Sequence, residues 1–137
     1  MLKTMLLTVS ILLASQSVLA DSFWEHNGSL MRLESDGSDK RVFSYEQPSS
    51  RMRGAGVERG TVLFEGRRVG DDYVGTARVF SSNCGPLEYR VRGVVRSTEQ
   101  QQSVVLYGKR ERYNQQTCTG TGVMVEDRLV FNYRYSD

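Results

Sequence analysis

Between Leu87 and Arg96 the chain reads LEYRVRGVVR. Leu87, Tyr89, Val91, Gly93 and Val95 fall on one face, and Glu88, Arg90, Arg92 and Arg96 fall on the other. Only Val94 is out of place. Successive side chains of a β-strand point to opposite sides, so this stretch reads as a strand with one buried and one wet face. The segment LVFNYRY repeats the rhythm, with Leu129, Phe131, Tyr133 and Tyr135 inward and Asn132 and Arg134 outward. After the first twenty residues no window has a convincing helical period.

Turn residues divide the chain into a regular series. Strands are expected near Ser29–Ser35, Arg41–Gln47, Thr61–Val69, Tyr73–Ser81, Leu87–Ser97, Ser103–Tyr113, Gly120–Glu126 and Arg128–Tyr135. The links between them, DGSD, GDD, NCGP, TEQQQ and ED, are too short for anything but antiparallel hairpins. The fold class is therefore all-β: an up-and-down antiparallel meander of about eight strands, closing into a small barrel, with a two-sheet β-sandwich as the alternative. Gly66, Gly75, Gly93 and Gly108 each interrupt one of four successive strands, where a bend or close backbone approach requires glycine. Expected inward positions are Met31, Leu33, Phe43, Tyr45, Phe64, Ala77, Val79, Leu87, Tyr89, Val91, Leu106, Phe131 and Tyr133. Many are large enough to favour a filled interior over a wide ligand cavity.

Residues 1–20, MLKTMLLTVSILLASQSVLA, read as a secretory signal peptide: Lys3, an apolar run, then small residues at the cleavage end. Residues 21–137 then form one domain. The expected location is outside the cytoplasm, periplasmic or secreted, from a bacterial source. No other apolar run is long enough for a transmembrane segment. In such a compartment the two cysteines, Cys84 and Cys118, are expected to form one disulfide, worth roughly 3–4 kcal/mol on a chain-entropy basis.

The formal net charge is +2, and removing Lys3 with the leader leaves +1. There is no global field to draw in nucleic acid, so no nucleic-acid partner is expected. Beyond the leader only Lys40 and Lys109 are lysines, and every other basic residue is arginine. With as many Asp and Glu, these arginines suit a salt-bridged surface.

Chemical motifs are sparse. His26 is the sole histidine, which leaves no ligand set for a metal and no sign of a cofactor. No G-x-S-x-G elbow accompanies it, so a hydrolase using His26 and Ser29 is the weakest of three readings. The acid pairs Asp71-Asp72 and Glu126-Asp127 are expected in tight turns, where Asp bonds its own backbone. Thr119-Gly120-Thr121-Gly122 lacks the following helix of a phosphate-binding loop. Asn27-Gly28-Ser29 matches a glycosylation acceptor, relevant only in a eukaryotic host. The one long connection, Pro48 to Gly60, carries Arg51, Arg53 and Arg59. Loops of this length are functional or disordered. These arginines are the candidate contact for an exported protein or an anionic cell-envelope ligand. The leading reading is a non-enzymatic binding protein acting through barrel-rim loops. The alternative is a proteinaceous inhibitor of an exported hydrolase, such as a lysozyme-type enzyme, inserting that loop into the active-site cleft.

Trp24 precedes the first expected strand, and Arg134 lies on the last. In this layout the chain resembles the calycin and lipocalin-like barrels, where a Trp at the barrel entrance packs against an Arg from the chain's end. The resemblance is one of architecture and implies that Trp24 plugs the barrel and stacks with Arg134, a contact worth about 0.5–2 kcal/mol. Ser22 stands where the family's G-x-W signature has glycine, and Arg128 is a second candidate guanidinium. The chain is also similar in layout to small exported bacterial inhibitors of lysozyme, without their inhibitory motif. On this reading replacing Trp24 costs stability and replacing His26 costs little.

Overall fold

The computed structural model describes residues 21–137, so the expected signal peptide lies outside the described residues. Eight strands follow one another: β1 (Ser22–His26), β2 (Ser29–Glu34), β3 (Lys40–Gln47), then, after a short helix α1 (Ser50–Gly54), β4 (Val62–Val69), β5 (Asp72–Val79), β6 (Leu87–Ser97), β7 (Gln102–Asn114) and β8 (Thr119–Ser136). Each pairs antiparallel with the next, and β8 returns to β1, giving a closed barrel in simple meander order. Closure settles the choice against a sandwich. Every strand has two neighbours, so the exposed edges that an open sheet must protect are largely removed.

The strand count agrees with expectation, but the strands differ in two places. Residues before Asn27 form β1 itself rather than an entry segment. Its hairpin with β2 is a two-residue turn in which Asn27 (φ 47°) and Gly28 (φ 82°) both adopt positive φ, as a type I′ turn requires. At the other end, Glu126-Asp127 is no turn. The two expected C-terminal strands are one 18-residue strand, β8, in which Asp127 stays in phase with Leu129, Phe131 and Tyr133. Asp71 does lie in the β4–β5 turn, with Asp72 opening β5.

The interior glycines mark where backbones crowd. Gly66 and Gly75 are cross-strand partners, and a Cβ on either would come within 2.1–2.2 Å of a carbonyl oxygen of the facing strand. A Cβ on Gly93 would lie 1.6 Å from the Val105 carbonyl oxygen. No side chain fits at these points. Register shifts at Phe23/Trp24, Leu30/Met31 and Phe43/Ser44 add the bends that a small barrel needs.

The inside is filled. Phe43 and Phe131 stack with centroids 4.0 Å apart, and Phe43 continues to Phe64 (6.4 Å) and Phe64 to Tyr73 (6.3 Å). Trp24 sets its edge against Phe43 (5.9 Å) and Tyr133 (5.4 Å). Met31, Leu106 and Val104 complete the packing, and all three are fully buried. Of the expected inward residues, Leu87 is half-buried at the margin, and Val79 and Tyr133 pack against the core without being sealed by it.

Outside, arginines are paired across neighbouring strands. Arg92 meets Asp72 (2.5 Å), Arg78 reaches Glu88 (3.2 Å) and Glu65 (3.6 Å), and Arg32 binds Asp21. All but the Arg32–Asp21 pair span adjacent strands, and individual contributions at such exposed positions are small. Cys84 and Cys118 are joined, with Cα atoms 5.6 Å apart. The bridge ties the β5–β6 loop to the tip of the β7–β8 hairpin. Among the described residues no helix is long and apolar enough to cross a membrane.

Candidate functional site

One end of the barrel is not closed by its own side chains. It opens into a cleft of about 770 Å³ lined by residues from all eight strands, α1 and the β5–β6 loop. The floor is the top of the aromatic core. Strand alternation brings polar groups there: Tyr89 on β6, Arg110 on β7 and Asp127 on β8 sit at inward positions where the neighbouring strands carry hydrophobic residues. Arg110 Nε donates to Asp127 Oδ2 at 2.5 Å, with both side chains largely shielded from water. The guanidinium also lies 5.9 Å from the centre of the Tyr89 ring. Burial, and then the Asp127 carboxylate, push the Tyr89 phenol well above the ordinary tyrosine pKa. Burial alone raises Tyr45 to about 12. Both phenols are therefore protonated donors at neutral pH.

His26 stands at the edge of this floor, 5% exposed and stacked 4.5 Å from Phe131. Its Nδ1 lies 2.8 Å from the Val130 carbonyl oxygen. A carbonyl only accepts, so Nδ1 carries the proton and Nε2 is the acceptor. Burial holds the imidazole below its usual pKa, partly offset by the Val130 bond and by Glu25. His26 is neutral, and its ring occupies a backbone carbonyl of β8 at the point where β1 stops pairing. Ser29 is equally committed: its Oγ accepts from the Ser49 N–H at 2.9 Å. No nucleophile–base contact joins His26 and Ser29, and among the described residues no cluster of His, Cys, Asp and Glu is arranged to hold a metal.

The Pro48–Gly60 connection is neither free nor disordered. Ser49 caps α1 by accepting from the Met52 N–H (3.2 Å). Met52 packs on the core and Val57 is buried within it at 2% exposure. The segment is folded onto the barrel end as one wall of the cleft. The three arginines do not converge. Arg51 lines the cleft. Arg53 donates to the Pro48 carbonyl (2.7 Å) and borders a separate hollow with Glu25 and Arg134. Arg59 is on the outer surface, paired with Glu46 at 2.8 Å.

Trp24 is buried, and its Nε1 donates to Ser22 Oγ at 2.8 Å. Arg134 is exposed on the outer face. The guanidinium found over an aromatic ring among the described residues is Arg110 over Tyr89, not Arg134 over Trp24. The expected stack is thus replaced by edge contacts with Phe43 and Tyr133. Arg110, Asp127 and Tyr89 are the site residues that the sequence reading passed over as a group. The signal was present: Asp127 is two residues before Leu129 and Arg110 is four after Leu106, so both share the inward parity. Reading Glu126-Asp127 as a turn broke the phase and hid it.

No protein-family model matches the chain, and no curated protein matches it.

Proposed function

We propose that this protein is an exported, non-enzymatic binding module of lipocalin-like build that works at its mouth rather than in its interior. The observation that carries this reading is the polar cleft above a barrel already filled by Phe43, Phe64, Phe131 and Met31. A ligand has no room to pass the aromatic floor, so recognition belongs to the rim, as it does where rigid scaffolds present loops. The leader-like residues 1–20 and the Cys84–Cys118 bridge support export to an oxidising compartment. A non-enzymatic role is supported by the commitments of His26 to Val130 and Ser29 to Ser49.

The partner is an exported protein or an anionic cell-envelope ligand. Affinity capture from envelope and medium fractions tests this. Wild type and the Arg53→Ala/Arg59→Ala double variant should recover the same partner, and Arg51→Ala should recover less. Equal recovery by all three proteins refutes the mouth as the binding surface.

One observation favours a second reading, inhibition of an exported hydrolase. From Gly108 to Asn114, β7 runs on past its pairing with β6 as a ribbon with β8, and the disulfide holds its tip. A two-stranded ribbon pinned at its tip to the β5–β6 loop is a stiffer element to present to a cleft than the Pro48–Gly60 segment. Titration against lysozyme-type hydrolases decides it, with loss of inhibition expected on reduction of the bridge.

A further inference from the structure

The mouth cleft gathers hydrogen-bonding groups that the fold leaves unused. Tyr45 is 2% exposed, yet its hydroxyl bonds no other described residue. Every fully buried side-chain nitrogen or oxygen among the described residues has a partner, so the Tyr45 oxygen is not sealed and opens to the cleft that the residue lines. His26 Nε2 is approached only by Asn27 Nδ2, at 3.5 Å, the outer limit of a hydrogen bond. Arg110 spends Nε on Asp127 and reaches the Glu111 carbonyl with Nη1 at 3.4 Å, while Nη2 makes no bond among the described residues.

Of the groups that line the cleft, one cation is left without an ion-pair partner among the described residues. Arg110 is balanced by Asp127, and Arg78 by Glu65 and Glu88. His26 is neutral. Arg51, exposed on α1, has no ion-pair partner among the described residues. One unpaired cation beside phenol and guanidinium donors matches one monoanion with two acceptor oxygens; a dianion would meet Asp127 without a second free cation. Met52, Leu63, Phe80 and Leu129 supply apolar surface within a lining that also carries Asn27, Ser49, Ser81 and Gln115.

We propose that the cleft captures a single carboxylate carried on an apolar body, supplied by the C-terminus of a peptide or by a free organic acid, with Tyr45, Arg110 and Arg51 as its donors. The proposal rests on the mouth-binding reading and narrows it to one functional group.

The test is a titration of the purified protein with four probes, followed by the NMR signals of the Tyr45 and Tyr89 rings and Arg110 Nε–H. The probes are N-acetylphenylalanine, its carboxamide, phenyl phosphate, and an N-acetylated Ala-Ala-Phe peptide with a free C-terminus. Both carboxylates should bind saturably, with the carboxamide weaker by about tenfold or more, the scale of a charged hydrogen bond. Phenyl phosphate should also bind more weakly. Tyr45→Phe, which removes one oxygen and keeps the packing, should weaken the carboxylates by more than it weakens the carboxamide. Arg51→Gln, on the exposed helix, should do the same without touching the core. A tripeptide tighter than the single residue identifies a peptide terminus as the source, and the reverse identifies a free acid. Equal binding of carboxylate and carboxamide, tighter binding of phenyl phosphate, or no response to either carboxylate overturns the proposal. If that happens while Arg51→Ala still loses its captured partner, the mouth reading survives and only the carboxylate falls.

Discussion

The two ends of this barrel are built from the same alternating strands and solve opposite problems. Away from the mouth, the inward positions are Trp24, Leu33, Phe64, Tyr73 and Tyr133, with Trp24 set edge to face on Tyr133 and Phe64 near-parallel to Tyr73. At the mouth the same inward rows hold Tyr89, Arg110 and Asp127, which line the cleft and meet each other. The strand geometry does not change between the two; only the residues placed on the inner row do. A rigid, dry base thereby holds a few polar groups at fixed spacing, an arrangement that reduces the ordering cost of binding.

Substitutions that separate the two ends sharpen this contrast. The largest effect is expected at the base. Trp24→Ala removes a buried indole from between Phe43 and Tyr133, and should cost about 3–5 kcal/mol in urea unfolding. Reduction of Cys84–Cys118 comes next, lowering stability by roughly 3–4 kcal/mol for a loop of this length. The midpoint measured with and without reductant gives the value. An unchanged midpoint would mean that the ribbon is held by its strand pairing alone.

At the boundary between the ends, His26→Ala leaves the Val130 carbonyl without its donor and opens space beside Phe131. A cost of about 1–3 kcal/mol follows from the lost bond, more than the small cost that a surface histidine would carry. The same residue gives a pH signature. Its folded pKa lies below the unfolded value of about 6.5, so the unfolded chain takes up the proton first. The stabilisation is complete above that value and is lost as pH falls through the interval down to the folded pKa. His26→Gln should flatten the stability profile over that interval. The smallest stability effect belongs to the mouth itself: Arg51→Ala should change unfolding by less than about 0.5 kcal/mol while reducing partner capture.

The barrel's order, its disulfide and most of its core were legible because each depends on local pattern: alternation, turn chemistry and glycines in strands. What was not legible depends on phase across long elements. Ser22–His26 is only five residues long, and its one clear period-two feature is Trp24 with His26 on the inner row. It looks like a lead-in until β8 supplies the partner. Pro48–Gly60 has no period because its order comes from one helical turn and the burial of Met52 and Val57, a tertiary effect. The Arg51, Arg53 and Arg59 group looked like one patch in sequence, but a helical turn and a neighbouring Glu46 send the three in different directions. The Trp24–Arg134 stack fails for a simpler reason: inward and outward residues of a strand pair do not meet through the sheet.

The seam of the barrel joins Ser22–Glu25 to Asn132–Ser136, pairing residues over a hundred positions apart. Every other strand pair is a neighbour in sequence and can form as soon as its hairpin exists. The ring therefore cannot shut until its final strand arrives, and until then β1 presents an unsatisfied edge. Contacts of such separation form late and slowly. A chain held back by its last few residues has a long interval in which its open edge can meet another protein, a hazard that a companion shielding β1 during maturation would remove.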